Sequence, residues 1–177
     1  MFGPQLKRGK HVDFTKPLYY STVKAYVRSD DKRFDGHLNK INNQNIKISS
    51  IDGEMTSIIA KLDFPKAKEV SLTQINDISQ VLLEVSSGKA DVAFVEPAIA
   101  LAYMNKNPGK IKQVENIPPL RVFPNTMIIG KGEFMLLSTI NIGIDELANN
   151  GFIDRVVTKY EKFTGSFQKI ALPYKEE

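Results

Sequence analysis

Ser87-Gly88-Lys89-Ala90-Asp91-Val92-Ala93-Phe94-Val95-Glu96-Pro97 is the stretch that decides the fold class. Just upstream, Ile75, Ile78, Val81, Leu82 and Val85 recur at helical spacing, and Gly88 stands where a helix closes on a left-handed residue. Asp91 to Val95 then runs apolar without alternation, the pattern of a strand buried on both faces. Pro97 follows at once, and its fixed φ and missing N–H suit the first turn of another helix. Helix, buried strand and helix in this order make a βα unit.

The same alternation extends outward. Val23 to Arg28 and Asn45 to Ser49 read as strands, and Gly53 to Leu62 reads as a helix with Met55, Ile58, Ile59 and Leu62 on one stripe. Glu69 to Leu72 and Thr126 to Gly130 are further strands. Leu136, Ile140, Ile144 and Leu147 mark one late helix, and Phe152 to Phe163 the last. The expectation is an α/β fold with a mostly parallel sheet. In such sheets ligands bind at the carboxyl ends of strands, where helices begin.

Two junctions therefore matter most: Ser50-Ile51-Asp52-Gly53-Glu54-Met55-Thr56 and Phe94-Val95-Glu96-Pro97. Backbone N–H groups at the first suit an anion; the Glu96 carboxylate at the second suits a cation. Each residue also has a plain structural reading. Asp52 caps the following helix or lines a site. Glu96 is a solvated, dipole-stabilised acid or a ligand group. Tyr19 and Tyr20 form a ligand wall or a piece of core. Arg8 is a solvated member of the Lys7-Arg8-Lys10 cluster or a functional cation. His11 and His37 read as structural.

Composition narrows the function. The chain has 177 residues, enough for about one domain or two small ones. Its 42% hydrophobic and 25% charged residues are those of an ordinary globular chain and exclude a disordered tail or a fibre. It has no cysteine and two histidines, so thiol catalysis, disulfides and thiolate metal sites are excluded and a histidine-based centre is not expected. No metal or other cofactor is expected. Net charge is 24 minus 20, or +4, without a basic stripe interleaved with aromatics, so nucleic acid is not an expected partner. No run approaches the roughly 18 apolar residues of a membrane span. Met1-Phe2-Gly3-Pro4 carries no secretion signal. Taken literally the chain is cytoplasmic; taken as a mature or truncated product, its compartment is open.

The order of segments resembles that of the bacterial extracellular solute-binding proteins of family 3, the amino-acid receptors of ABC importers. Arg8-Gly-Lys-His-Val-Asp-Phe-Thr-Lys-Pro-Leu-Tyr19-Tyr20 is similar to their R-x-x-x-V-x-F-S/T-x-P-Y passage, and Ser87 to Glu96 to their G-K-A-D-A-x-x-x-D passage. Gly132 to Phe163, with Gly151-Phe-Ile-Asp-Arg and Lys159-Tyr160, is similar to their terminal pair of helices. The resemblance implies a periplasmic-binding-protein type 2 fold: two α/β lobes, an interlobe cleft and crossing hinge strands. Residues 25–125 would form a complete lobe two, with 1–24 and 126–177 as the remainder of lobe one. The first lobe would be incomplete, lacking its opening strands and helices and the precursor's signal peptide. The apolar faces of the last two helices would then lack part of their sheet, and self-association through the incomplete lobe is expected.

By the same resemblance, Arg8 would fork onto a ligand α-carboxylate, Gly53, Glu54 and Met55 would offer backbone N–H groups to it, and Glu96 would accept from the ligand ammonium. Gly3, Asp52, Thr56 and Tyr19 are further candidates. The sequence departs from the family in three places. Glu96 stands where Asp is usual. Glu54-Met55 follows the glycine where a Thr hydroxyl is usual. Met1 and Gly3 occupy Ser/Thr positions. The three acids Asp52, Glu54 and Glu96 favour a cationic solute unless Glu54 points to solvent. The implied function is an extracytoplasmic binding protein, periplasmic or extracellular, taking an amino acid or similar small polar solute and docking on an ABC permease. Two alternatives share the fold: a prephenate or arogenate dehydratase with Glu96 as general acid, and the ligand-binding sensor domain of a membrane receptor.

Overall fold

The structure is a computed structural model and describes residues 6–161 and 166–170. It divides into two compact units, one of residues 1–22 and 122–177, the other of residues 23–121.

In the second unit the strand order is β4 (Lys68–Leu72), β3 (Lys47–Ile51), β5 (Val92–Val95), β2 (Tyr19–Arg28), β6 (Ile111–Gln113). β3 pairs in parallel with β4 and with β5, while β2 runs antiparallel to β5 and to β6. The sheet is therefore mixed, and the expectation of a mostly parallel one holds only for its β4-β3-β5 portion. The whole of β5 is buried, as its unalternating apolar run predicts. Helices α2 (Met55–Asp63), α3 (Gln80–Ser86) and α4 (Pro97–Lys106) follow β3, β4 and β5 in turn. Ile59, Val81, Leu82, Val85, Val92 and Phe94 are almost wholly removed from water, each side chain contributing about 1.5–3 kcal/mol by burial. Phe64 stacks on Phe94 with ring centroids 5.3 Å apart.

The helix after β4 starts later than its apolar stripe indicates. Ile75 is 94% exposed and lies outside α3, which begins at Gln80. Local side chains win here. Asn76 donates to both the carbonyl and the hydroxyl of Thr73, and Asp77 accepts from the Ser79 N–H at 2.8 Å. These bonds hold 73–79 as turns and compete with helix. At the other end Gly88, at φ +80°, closes α3 as expected, its N–H bonded to the Val85 carbonyl.

An ion network ties down the amino end of β5. Arg33 bonds Asp31 through Nε and Nη2 and reaches Asp91 at 2.6 Å. The second Asp91 oxygen accepts from the Lys47 N–H at 2.9 Å, and Arg28 donates to the Ala90 carbonyl. Burial pushes the Asp31 and Asp91 carboxyls up, but the Arg33 guanidinium bonded to both more than offsets it, and both lie below the usual carboxylate range.

The first unit contains the short helix α1 (Leu6–Gly9), β1 (Val12–Phe14) paired antiparallel with β8 (Ile128–Gly130), helices α5 (Phe134–Asn149) and α6 (Phe152–Tyr160), and β9 (Phe167–Gln168) on the first residues of β2. β7 (Arg121–Asn125) leads into it. Lys16 pairs with Asp145, and its N–H donates to Asn141, which seats α5. β8 is shorter than the expected Thr126 to Gly130, and α6 ends at Tyr160. The expected end at Phe163 lies outside the described residues. Ile144 is the buried residue of α5; α6 has none. Met135, Phe134 and Tyr160 are 87, 71 and 72% exposed. No helix among the described residues is long and apolar enough to cross a membrane.

Both network carboxyls have lowered pKa values, so their contribution is complete above the ordinary carboxylate range and is lost as pH falls through the lowered values. Asp91→Asn should cost about 2 kcal/mol at pH 7, the worth of a hydrogen-bonded charge. It should also flatten the loss of stability below about pH 4. Denaturant melts at pH 7 and pH 3.5 check both. An unchanged midpoint at pH 7 would remove the network from the account.

Candidate functional site

Parallel pairing brings the carboxyl ends of β4, β3 and β5 to one edge of the second unit. Ile51 pairs with Leu72, so the loops after them start level, and the Asp52 N–H donates to the Leu72 carbonyl at 2.9 Å. The loop after β3 therefore lies between the loop after β4 and Glu96, which ends β5.

The central loop turns at Gly53, whose φ of +72° is costly for any residue with a Cβ. The Glu54 N–H bonds back to the Ile51 carbonyl at 3.1 Å. Of the three backbone donors expected here, Glu54 is thus already engaged, which leaves Gly53 and Met55. Met55 begins α2, whose first N–H groups have no intrahelical acceptor. Thr56 is buried and its hydroxyl accepts from the Ile51 N–H at 2.9 Å, so it clamps helix to strand. Asp52 does not cap the helix: α2 starts at Met55 with Glu54 at the cap position. Asp52 is exposed, with Lys61 at 3.9 Å from its carboxylate.

Beneath the loop, Glu69 accepts from the Ser50 hydroxyl at 2.6 Å and stands 3.6 Å from Lys61. Burial raises its pKa, but the Ser50 and Ser57 hydroxyls and the Lys61 ammonium more than offset this, and Glu69 lies below its usual range. This buried support fixes β3 against β4 under the site.

Glu96 is half-buried at the amino end of α4, in extended backbone, with the buried Pro97 as first helical residue. Its carbonyl accepts from the Ile99 and Ala100 N–H groups. The helix dipole favours a carboxylate here.

Arg8 and Tyr19 belong to the first unit. Arg8 is half-buried in α1. Lys131 positions that turn by donating to the Gly9 carbonyl at 2.9 Å and to Asp13 at 2.6 Å. Tyr19 packs edge-on against Phe167 at 5.0 Å, a partner that gives it a structural contact. Gly3 lies outside the described residues. The structure thus gathers Asp52, Gly53, Glu54, Met55, Thr56 and Glu96 on one edge of one unit.

Gln74 is the neighbour that sequence reading misses. A Cβ on Gly53 would stand 2.7 Å from its Nε2. An isolated glutamine in a turn gives no signal in sequence. Gly53→Ala should therefore cost about 1–2 kcal/mol from the left-handed φ alone, and should also displace Gln74. A denaturant melt that matches wild type would show that the loop relaxes freely.

No protein-family model matches the sequence. The chain is 25% identical over 155 residues to a probable histidine-binding protein of Campylobacter jejuni, matching 88% of this chain and 57% of that protein. It thus spans little more than half the length of that relative. Among solved structures, the substrate-binding protein of an amino-acid ABC transporter is 25% identical, with a TM-score of 0.66 over 92% of this chain and 69% of that one. A putative ABC-transporter binding component of Wolinella succinogenes, complexed with lysine, is 18% identical with a TM-score of 0.74 over 92 and 68%. An ancestral amino-acid-binding protein, a precursor of cyclohexadienyl dehydratase, is 23% identical with a TM-score of 0.69 over 91 and 66%. Motif order, α/β topology and these likenesses agree: the chain has the periplasmic-binding-protein type 2 fold of the solute-binding proteins of family 3.

Proposed function

We propose that this chain binds an amino acid with a cationic side chain, as the extracytoplasmic receptor of an ABC importer. One observation carries the reading: the Gly53–Met55 loop at the start of α2 and Glu96 at the end of β5 stand at neighbouring strand ends. The first is a seat for a carboxylate, the second for an ammonium, and a zwitterion needs both. Arg8 would complete the carboxylate clamp from the remainder of lobe one, residues 1–24 and 126–177, with residues 25–125 as lobe two. The exposed acids Asp52 and Glu54 favour a third, positive group on the solute. The histidine and lysine in the names of two relatives support this choice. The partner is a membrane permease, and the location is outside the cytoplasm.

A second reading has one observation behind it. Glu96 replaces the usual Asp, and the ancestral relative is a dehydratase precursor. A dehydratase would consume prephenate; a receptor is stabilised by its solute through mass action.

The test is a thermal-shift screen of the chain with L-histidine, L-lysine, L-arginine and prephenate. The expected result is a rise in Tm with at least one cationic amino acid, and at least a tenfold loss of its affinity in Glu96→Gln. No shift with any of them, or turnover of prephenate abolished by the same substitution, would overturn the receptor reading.

The exposed apolar residues of α5 and α6 support self-association, with a second copy covering Phe134, Met135 and Tyr160. Light scattering on an eluting column peak should give about twice 19.9 kDa. A monodisperse species at the monomer mass would remove this part.

A further inference from the structure

Gln74 is an exposed residue in a turn built to hold it still. The Asn76 N–H bonds the Thr73 carbonyl at 3.0 Å, and the Asn76 side chain clamps both the carbonyl and the hydroxyl of Thr73. The bond from the Asp52 N–H to the Leu72 carbonyl ties this turn to the Gly53 loop. The Gln74 amide lies so close over Gly53 that a Cβ there would meet Nε2 at 2.7 Å. Among the described residues, none is recorded as a hydrogen-bond partner of that amide. A primary amide lying beside a left-handed glycine and the start of a nine-residue helix, with its donors unspent, is placed to meet a ligand.

Met55 has no side-chain donor, and a Glu54 carboxylate only accepts. The Thr56 oxygen is bonded to the Ile51 N–H, and the Glu54 N–H to the Ile51 carbonyl. The loop itself then brings the Gly53 and Met55 N–H groups and, from its side chains, only the hydroxyl hydrogen of the buried Thr56. We propose that the Gln74 amide supplies a further donor, binding the solute carboxylate from the β4 side while Glu96 binds the ammonium from the β5 side. A neutral donor suits this place, because Asp52 and Glu54 already stand on the loop and a third acid would repel the same carboxylate. The inference rests on the receptor reading above.

The experiment separates the two. Calorimetric titrations of wild type, Gln74→Ala and Gln74→Glu use L-histidine with L-histidinamide and L-lysine with L-lysinamide, the amides lacking the carboxylate charge. Wild type should bind at least one of the free amino acids. Gln74→Ala should weaken that amino acid about tenfold and its amide less than twofold, the difference expected for one hydrogen bond to a charged acceptor. Gln74→Glu should weaken the amino acid further. The unliganded variants should melt within about 3 °C of wild type, since the side chain holds no other part of the chain. Equal losses for acid and amide, or no loss, would overturn the role of Gln74 and leave the receptor reading standing. Absence of binding by wild type would overturn both.

Discussion

Ile48 stands opposite Glu69 on one side and Val92 on the other, and this double parallel register fixes where the second unit's chemistry falls. With both neighbours of β3 parallel to it, three chain segments leave the sheet in the same direction. Their first loop residues meet at one edge: Asp52 and Gly53 in the middle, Thr73 and Gln74 to one side, Glu96 to the other. A slip of one residue in β3 would exchange its two buried faces and turn the Gly53 loop away. The register is therefore held along both edges of β3, by Glu69 bonding Ser50 at 2.6 Å on the β4 side and by Asp91 accepting from the Lys47 N–H on the β5 side.

The two ends of these strands use charge differently. At the amino end, Arg33 spans Asp31 and Asp91, and Arg28 takes the Ala90 carbonyl. The carboxylates there are spent on structure, and the Arg33 guanidinium bonded to both holds them below the usual carboxylate range. At the carboxyl end, Asp52 and Glu54 are exposed, and the nearest recorded cation to Asp52 is Lys61 at 3.9 Å. Asp52 and Glu54 thus stand in water at the edge to which the family resemblance points through Gly53, Glu54, Met55 and Glu96.

The parts legible in sequence are those whose signal is local and periodic. The apolar run Val92 to Val95 has no face for water, which fits a strand buried on both sides, and Gly88 and Pro97 punctuate it at both ends. Periodicity places Ile75 in a helix because it counts apolar spacing and is blind to the Asp77 side chain, which folds the backbone into a turn before Gln80. Of the two readings of Asp52, the cap fails because the positive φ of Gly53 delays the helix to Met55. Arg33 and Gln74 were invisible for a different reason. Each acts across the sheet or between loops, on partners 58 residues away for Arg33 and in the preceding strand loop for Gln74, and neither sits in a patterned segment.

The acids on the loop raise the question of how a carboxylate binds beside them. Two unit charges about 8 Å apart in water interact by only about 0.5 kcal/mol, and salt reduces that further. Asp52 and Glu54 are exposed, so each opposes a bound carboxylate by no more than this order, and Lys61 offsets part of the Asp52 field. A single hydrogen bond to a charged acceptor contributes about 1.5–3 kcal/mol. In the proposed site, two backbone donors and the Gln74 amide would therefore outweigh two solvated acids. The same small terms change sign for a cationic side chain, where each acid adds about a twofold preference and speeds encounter. Glu96 differs in kind, because it is half-buried and in the proposed role would meet the ligand directly. In the proposed receptor, affinity at this edge would thus be set by Glu96 and the donors of the loop, while Asp52 and Glu54 would tilt the choice among solutes already held.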